Sequence, residues 1–401
     1  MTYDDGRGRP HPIPIVEAPL VLQRDDYRYL LRLTRAFADG HRRIAAARAA
    51  RDPAVRALLP VTRAEERWIA LSPPGSLVAA CWDMNIDPRD GGARTARLFE
   101  MNGCAVGGIH YATVCAEIAR THLAPRLAIP PSMREAWLEL LQARRARPRI
   151  AWLEDRTWTA GITEGPTLCA YLRERGWSAV VADPRDLRFR RGVLHAGDQP
   201  VDVVYRGIEL ADLVAIEAEE RRPLAALRQA ARRGLVLSSF QGDLDHKSLL
   251  EIFSSPRFAR LFTPAQRRDF RAHVPWTRLL GARASEDADG RPIDDLVGYA
   301  RSHRTELVLK PNRSCGGEGI LIGHETPASR WNRAVSLAAT GKAPAVVQAV
   351  IDSARLEGTP HYTTYGLFPG LRRLGVLGRA APFRVVNVAR GGGLAGVLVR
   401  P

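Results

Sequence analysis

The spacing of apolar residues divides the chain into stretches of different secondary structure. From about Leu20 to Arg67 apolar residues recur every three or four positions, which predicts an N-terminal helical region. Two short apolar segments follow, "SLVAACWDMNI" and "RTARLFEMNG", separated by the turn-forming stretch "DPRDGGA", and together they predict a β-hairpin. Further helices are predicted from Gly108 to about Arg120 and over "PSMREAWLELLQARRA", whose proline and serine suit a helix start.

Strands and helices begin to alternate at Pro148. Short strands are predicted at "RIAWLED", "WSAVVADP", "PVDVVYRG" and "LVLSS", and helices at "EGPTLCAYLRERG" and "RRPLAALRQAARRG". Alternation of this kind is typical of a small α/β unit with a mostly parallel sheet.

From Gln241 onward the chain mixes helices with strands of another kind. The predicted helices are "HKSLLEIFSS", "TPAQRRDFRAHV", "IDDLVGYARSH" and "PASRWNRAVSLAAT", and "APAVVQAVI" is a predicted strand. "HYTTYGLF", "RLGVLGRA" and "FRVVNVA" have the pattern of successive antiparallel strands. We therefore expect a fold of mixed α+β and α/β class.

The stretch "LVLKPNRSCGGEGILIG", residues 307–323, places a lysine and several glycines between two apolar segments. It is not the P-loop pattern GxxxxGK[ST], because Lys310 precedes the glycines. It is not the dinucleotide fingerprint GxGxxG either, because Ile322 stands where the third glycine is required. Both fingerprints need a helix after the loop, whereas a β-like segment follows here. The residues allow an ordinary glycine-rich turn, or a hairpin lid whose backbone N–H groups bind phosphate.

The predicted hairpin carries a set of oxygen ligands. Glu100 and Asn102 are two residues apart on one strand, so their side chains point to the same face. Asp83 can lie opposite them on the partner strand. Two carboxylates and an amide oxygen suit Mg²⁺ bridging nucleotide phosphates, although most such pairs on strands simply face solvent.

The charge of the chain has a simpler explanation than a nucleic-acid partner. The formal net charge is +16, and 56 of the 59 basic residues are arginine, scattered among acidic residues as on solvated helix faces. Nucleic-acid binding is therefore the alternative and not the expectation. Because arginine serves as the general surface cation, the three lysines, Lys247, Lys310 and Lys342, mark candidate positions that need a compact ammonium group.

The remaining composition indicates a cytoplasmic protein with reduced cysteines. Hydrophobic residues make up 45% and charged residues 25% of the chain, as in soluble globular proteins. The N-terminal residues lack the apolar core of a signal peptide, and no apolar run approaches the roughly 18 residues of a membrane helix. The five cysteines fit neither a CxxC pattern nor a zinc template. We expect no membrane partner.

Taken together, these motifs resemble the ATP-grasp superfamily, and in particular its circularly permuted branch, which includes glutathionylspermidine synthase-like ligases. In ordinary ATP-grasp enzymes the glycine loop comes first and the metal-binding strand last, whereas here the hairpin with Asp83 precedes the loop. The resemblance implies a circularly permuted ATP-grasp fold with a flanking α/β pre-grasp domain. The corresponding division is a helical region (1–76), a metal-binding segment (77–147), the α/β domain (148–240) and the lid and hinge subdomains (241–401).

The resemblance also implies roles for single residues. Asp83, Glu100 and Asn102 match the residues that bind two Mg²⁺ ions. Lys247 and Lys310 match the two lysines that contact phosphate. Arg379 resembles the arginine that contacts the γ-phosphate and the reacting carboxylate. The implied nucleotide-binding lid and adenine hinge comprise Gly316, Gly317, Gly319, Gln348, Ala349 and Val350. Lys342 is assigned to the surface.

The activity implied is that of an ATP-dependent carboxylate–amine ligase. ATP would phosphorylate a small-molecule or peptide carboxylate, and an amine would displace the phosphate to form an amide or peptide bond. A carboxylate–thiol ligase or another phosphotransferase could use the same site. Related enzymes tend to have an arginine where this chain has Cys81, which allows a non-standard substrate or lost activity. Because every implied metal and lysine position is filled, we expect an active enzyme. Cys315 in the loop is interpreted as a small lid residue, and Tyr205, Arg206 and Glu164 as either pocket or structural residues.

Overall fold

A computed structural model describes residues 2–4, 10–157, 164–314 and 316–400. Its N-terminal region contains β1 (Thr2–Asp4), β2 (Pro10–Pro12), β3 (Leu20–Leu22), α1 (Arg24–Ala49), α2 (Pro53–Leu58) and α3 (Arg63–Ile69). The predicted helical stretch is thus confirmed, but it starts later and is divided in three. Leu20 belongs to a strand because β3 pairs in parallel with a strand at the end of the chain. Asp52 and Thr62 cap α2 and α3 with their side chains, which fixes the breaks.

The predicted hairpin forms, and the two predicted helices follow it. The elements are β4 (Cys81–Asp87), β5 (Gly92–Asn102), α4 (Tyr111–Ile118) and α5 (Met133–Leu141). Ser132 and Glu135 form a capping box at the start of α5, so the proline–serine signal located this helix correctly.

The α/β unit is confirmed as well. Its elements are β6 (Ile150–Leu153), α6 (Gly165–Glu174), β7 (Ala179–Ala182), β8 (Leu187–Arg190), β9 (Val193–Ala196), β10 (Gln199–Val201), β11 (Val203–Arg206), α7 (Leu210–Glu219), α8 (Ala225–Arg232) and β12 (Val236–Leu237). Four of the strands form a wholly parallel sheet in the order β12-β11-β6-β7. The other three, β8 to β10, form a small antiparallel sheet beside it.

The C-terminal part completes two antiparallel sheets. Its elements are α9 (Leu249–Ser254), α10 (Pro264–His273), β13 (Thr277–Leu279), β14 (Ser285–Glu286), β15 (Pro292–Ile293), α11 (Leu296–Ser302), β16 (Leu307–Pro311), β17 (Leu321–Ile322), α12 (Ala328–Ala339), β18 (Ala345–Ala349), β19 (Tyr362–Pro369), β20 (Leu374–Ala381), β21 (Gly393–Ala395) and β22 (Val397–Val399). One sheet has the order β13-β18-β16-β17, and the larger has the order β21-β20-β19-β4-β5. The early hairpin therefore joins strands from the end of the chain.

The third predicted antiparallel strand, "FRVVNVA" (383–389), is wrong. The Asn387 side chain accepts the N–H of Ala389 and starts a short 3-10 turn over Val388–Arg390. The strand that actually pairs with β20 is β21, a few residues later. An alternating pattern cannot reveal that a local side-chain bond competes with the sheet.

The two antiparallel sheets of five and four strands each have helices on one face. In the larger sheet, Trp82 and Met84 point toward α1 and pack in a core with Phe37 and Phe253. In the smaller sheet, Trp331 of α12 packs with Leu309 and Val347. Candidate site residues project from the opposite face of the larger sheet, and a cleft between the sheets takes residues from both. Among the described residues no helix has the length and apolar character needed to cross a membrane.

Candidate functional site

The hairpin brings the predicted metal ligands together. β4 and β5 pair so that Asp83 lies opposite Glu100, and Cys81 lies opposite Asn102. The Asn102 amide donates to Asp83 Oδ2 at 3.2 Å. The sequence prediction that all three side chains share one face is confirmed, since opposite residues in an antiparallel pair point the same way.

Three predicted cations lie at the same place. Arg379 contacts Asp83 at 2.5 Å, and the Lys247 ammonium lies 3.1 Å from Glu100 Oε2. Lys310 donates to the carbonyl oxygen of Phe99 at 3.4 Å, beside Glu100. Residues that are far apart in the chain thus form one cluster of two carboxylates and three cations.

A glycine lets Arg379 reach across a strand. Arg379 on β20 pairs with Thr364 of β19, and Asp83 on β4 pairs with Gly366 of the same strand. Both charged side chains lie on one face, with β19 between them. A Cβ at Gly366 would lie 3.3 Å from Asp83 Oδ1 and 2.9 Å from Cys81 Sγ. The missing side chain therefore leaves room for the ion pair.

Asn312 fixes the two lysines relative to each other, a role that the motif analysis missed. The Lys247 N–H donates to the Asn312 carbonyl at 3.0 Å, and the Ser248 N–H donates to Asn312 Oδ1 at 2.8 Å. Asn312 is buried and lies two residues after Lys310 on the chain. The same bonds explain why α9 starts only at Leu249, although a helix was predicted from His246. Its position directly after "KP" was the one available signal.

Burial and neighbouring charge act against each other in this cluster. Burial raises the pKa of Glu100, but the nearby Lys247 and Lys310 ammonium groups outweigh it and hold the pKa below its usual value. Burial lowers the pKa of Lys310 to about 8, with Glu100 opposing the shift. Burial also raises the pKa of Asp83, against the pull of Arg379. Each buried charge here depends on its opposite partner.

The glycine loop between β16 and β17 has the strand–loop–strand setting that the sequence predicted. Gly316, Gly317 and Gly319 have φ values of 68°, 72° and 70°, a left-handed backbone that favours glycine. A Cβ at Gly317 would lie 2.6 Å from Val385 Cγ1. The Gly317 carbonyl accepts a hydrogen bond from Arg390 at 3.0 Å, so the loop rests on the 385–390 segment. Cys315, the remaining loop residue of interest, lies outside the described residues.

The predicted hinge is the strand β18, between β13 and β16. The Gln348 side chain is buried and donates to the Thr277 hydroxyl at 3.0 Å. The N–H groups of Ala349 and Val350 donate to the carbonyls of Trp276 and Glu306, each at 2.8 Å. Those two N–H groups are therefore engaged within the protein, and an adenine ring at this strand would have to bond to other main-chain groups.

Most of the candidate residues line one cleft between the two antiparallel sheets. The lining residues are Asp83, Phe99, Glu100, Val308, Lys310, Gly317, Ile320, Ile322, Gln348, Ala349, Val350, Ile351, Ser353, Thr364, Arg379, Arg384, Val385, Val386 and Asn387. Four predicted residues, Asn102, Lys247, Gly316 and Gly319, are not among them, although Asn102 and Lys247 bond to the lining carboxylates. The cleft combines apolar walls with charged groups.

Two observations bear on what the charged groups could hold. Arg379 Nε is buried and has no hydrogen-bond partner among the described residues, so it can donate to an added anionic group. The described residues contain no group of three or more His, Cys, Asp or Glu side chains placed to hold a metal. The two carboxylates and one amide fit Mg²⁺, a hard cation that usually completes its shell with phosphate oxygens and water.

Cys81 takes the position at which the resemblance leads us to expect an arginine. Its thiol is buried, lies 3.8 Å from Asp83 Oδ1, and has its pKa raised by burial and by the Asp83 charge. This side of the site therefore has a neutral group where a cation was expected.

The three residues of the α/β unit left open by the sequence have structural roles. Glu164 accepts the N–H groups at the start of α4, from Gly108 to Tyr111. Arg206 is fully buried and paired with Asp243 at 2.5 Å. Tyr205 packs against Trp137 and Trp152. Lys342 is exposed, as predicted.

Comparison with solved structures identifies the class of fold. The chain is similar to a glutathione synthetase-like effector, GSS30, from Globodera pallida in its apo form, with 10% identity, 99% of this chain and 93% of that chain covered, and a TM-score of 0.59. The chain thus shares the overall fold of this glutathione synthetase-like protein. No protein-family model matches the sequence, and no curated protein matches it either.

Two more distant solved structures are a putative gamma-glutamylcysteine synthetase from Methylobacillus flagellatus KT and a RimK domain ATP-grasp protein from Sphaerobacter thermophilus DSM 20745. The first has 12% identity over 88% of this chain and 84% of that one, with a TM-score of 0.42. The second has 17% identity over 60% of this chain and 96% of that one, with a TM-score of 0.29. Both TM-scores are below 0.5, so neither structure defines the fold of this chain.

Proposed function

We propose that the protein is an ATP- and Mg²⁺-dependent ligase that activates a carboxylate as an acyl phosphate and joins it to an amine. The observation that carries this proposal is the convergence of Asp83 and Glu100 with Arg379, Lys247 and Lys310 beside a cleft that one glycine of the loop helps to line. Opposite charges in this arrangement suit a metal–polyphosphate complex. The structural neighbour is a glutathione synthetase-like effector, which agrees with the proposal.

Two Mg²⁺ ions would be held by Asp83, Glu100 and Asn102. Bound there, the metal would neutralise charge on the β- and γ-phosphates. Lys247 and Lys310 would hold phosphate oxygens as compact point charges. Phosphoryl transfer needs little covalent help from the protein, so positioning and charge neutralisation are the main tasks of these side chains.

Arg379 and Lys310 are the candidate catalytic residues of the transfer. A carboxylate oxygen of the acid attacks the γ-phosphorus, and ADP leaves. The amine then attacks the acyl carbon, phosphate leaves, and the amine gives up a proton. The free Arg379 Nε–H would donate to the transferred group and to the oxyanion that develops on the acyl carbon. The glycine loop would exclude water, which otherwise hydrolyses the acyl phosphate.

We also propose that the fold is circularly permuted, with the domain division given above. The proposal is supported by the order of the elements, because the hairpin β4–β5 comes before the glycine loop and yet pairs with β19, which comes after it. The substrates proposed are small-molecule or peptide carboxylates and amines.

The test is hydroxamate formation. Protein, Mg·ATP and a panel of small and peptide acids are incubated with hydroxylamine in place of the amine, and hydroxamate and ADP are measured. A ligase gives both, and Asp83→Asn should abolish them while the control Asp90→Asn, in the exposed hairpin turn, should not. Thioester or phosphoester products in place of amides would support the alternative activities. Absence of ADP and of every product across the panel would contradict the proposal.

A further inference from the structure

Both carboxylates among the three candidate metal ligands are already paired with cations of the protein. Asp83 contacts Arg379 at 2.5 Å, and Glu100 contacts Lys247 at 3.1 Å. Only 6% of the Asp83 side chain and 28% of the Glu100 side chain is exposed, so water screens neither pair well. A divalent cation that approaches these carboxylates has to displace or accept a neighbouring positive charge.

The charge of the cluster is unfavourable for a free metal ion. With Lys310 included, two carboxylates face three cations, which leaves a net charge of +1. Such a site repels a dication that arrives alone and attracts a polyphosphate, whose oxygens offer new partners to the same cations.

Arg379 and Lys247, the two cations that neutralise the carboxylates, can bind an added anion from where they lie. Arg379 Nε lacks a partner among the described residues, so this guanidinium can bind an anion without first breaking another bond at that atom. The Lys247 ammonium also donates to the Ser314 carbonyl at 2.6 Å, at the start of the glycine loop. Movement of Lys247 from Glu100 to a phosphate therefore keeps it next to the loop that would cover that phosphate.

We propose that Lys247 and Arg379 are stand-in counter-ions for the metal, so that the divalent cation enters the site only together with the nucleotide. The proposal rests on the ATP and Mg²⁺ site of the proposed function and adds the order in which its ligands bind. In the nucleotide-free protein the two cations neutralise Glu100 and Asp83. When polyphosphate draws them away, the carboxylates become free for the metal.

The experiment measures binding of Mn²⁺, a paramagnetic probe with a preference for oxygen ligands similar to that of Mg²⁺. Free Mn²⁺ is quantified by electron paramagnetic resonance with the full-length protein, with and without a non-hydrolysable ATP analogue. For wild type we expect Mn²⁺ to bind at least about tenfold more tightly in the presence of the analogue, after subtraction of Mn²⁺ held by the free analogue.

The decisive variant is Lys247→Met, which keeps the aliphatic stem and removes the charge. We expect it to bind Mn²⁺ without nucleotide at least about tenfold more tightly than wild type. Lys342→Met, at an exposed lysine, should behave like wild type. Adding Glu100→Gln to Lys247→Met should remove the gain. Loss of a purely structural lysine would not create metal binding.

Failure of this inference is distinguishable from failure of the proposed function. If wild type binds Mn²⁺ equally well without nucleotide, or if folded Lys247→Met shows no gain, the stand-in role is wrong while ATP binding stands. If wild type binds no nucleotide, the proposed function fails, and the titration without nucleotide still decides the role of Lys247. Should Lys247→Met not fold, Lys247→Gln takes its place, and the wild-type comparison alone can overturn the proposal.

Discussion

At the scale of single residues, the rarity of lysine was informative. Two of the three lysines, Lys247 and Lys310, are buried at the candidate site, and the third, Lys342, is exposed. The surroundings of Lys310 give the physical reason. Its ammonium is buried, lies 5.5 Å from the Phe99 ring centroid and is close to Glu100, and the planar fork of an arginine has a different shape and different donor directions from this compact charge.

Lys310→Arg should therefore lose activity although it keeps the charge. We expect the rate of hydroxamate formation to fall by about 100-fold, a loss typical of removing one oriented charge-stabilising donor. The control is Lys342→Arg, which should retain wild-type activity. Full retention in Lys310→Arg, with normal folding by circular dichroism, would contradict the need for a compact ammonium.

Asn312 is the second residue with a testable role. Asn312→Ala leaves the buried N–H of Ser248 without its acceptor, which costs about 1–3 kcal/mol in stability. Because the same side chain fixes the turn that carries Lys247, affinity for the ATP analogue should fall as well. Thermal unfolding measures the loss of stability, and calorimetric titration measures the affinity for the ATP analogue.

Two further variants separate a positioning role of Asn312 from a general loss of stability. Asn312→Asp keeps the oxygen acceptor and should keep more nucleotide affinity than Asn312→Ala. Asn332→Ala, at an exposed position of α12, should change neither quantity. Equal affinity loss in the Asp and Ala variants would argue against the oxygen at this position as the cause.

At the scale of elements, the glycine loop depends on backbone conformation more than on side chains. Three of its glycines have a positive φ, and one of them lies too close to Val385 for any side chain. The loop also bonds to Arg390, in the segment where a strand was predicted and a turn was found. The wrong prediction over 383–389 thus concerns the surface on which the glycine loop rests.

Gly317→Ala should impair the lid specifically. It combines an unfavourable φ of 72°, worth about 1–2 kcal/mol, with a close approach to Val385 Cγ1. We expect lower ligation per ATP consumed, because a displaced lid admits water to the acyl phosphate. The ratio of ADP to hydroxamate measures this.

The matched control for the lid is Gly341→Ala. Gly341 has a similar φ of 73° with nothing within 4 Å of an added Cβ, and it lies between α12 and β18, outside the loop. Gly341→Ala should show the part of the stability loss that comes from the unfavourable φ, with an unchanged ratio of ADP to hydroxamate. An identical ratio in both variants would mean that the loop does not exclude water.

At the scale of the whole molecule, the site exists only because two sheets face each other. The larger sheet supplies the carboxylates and Arg379, and the smaller supplies Lys310 and the hinge strand. Both sheets have a helix-packed core on their other face. A ligand in the cleft would contact both sheets and hold them together.

Nucleotide binding should therefore stabilise the whole chain. At a Mg·ATP-analogue concentration about 100-fold above its Kd, mass action adds about 2.7 kcal/mol, which corresponds to roughly 3 to 5 °C in apparent Tm. Differential scanning fluorimetry measures the shift. Asp83→Asn should reduce it and Asp90→Asn should not. No shift at saturating analogue in wild type would contradict binding in the cleft.

The sequence by itself determined the local elements and the chemical types of the candidate site residues. Periodicity located the hairpin, the parallel sheet of the α/β unit and most helices, because these depend on local spacing and caps. The pattern of Asp83, Glu100 and Asn102, the rare lysines and the glycine loop named the charged cluster. The chemical type of each side chain and the alternation of side chains along a strand can be read directly from a sequence.

Only the tertiary structure decided which charges meet. Lys247 pairs with Glu100, and Asn312 bonds to Ser248, which is 64 positions away in the chain. Arg379 contacts Asp83 across Gly366 of the strand between them. The engaged N–H groups of the hinge strand likewise depend on distant neighbours, whereas the turn at Asn387 comes from a local bond to Ala389 that the alternating pattern does not reveal. Long-range contacts form because apolar faces pack, and burial then makes each charge depend on the partner that packing supplies.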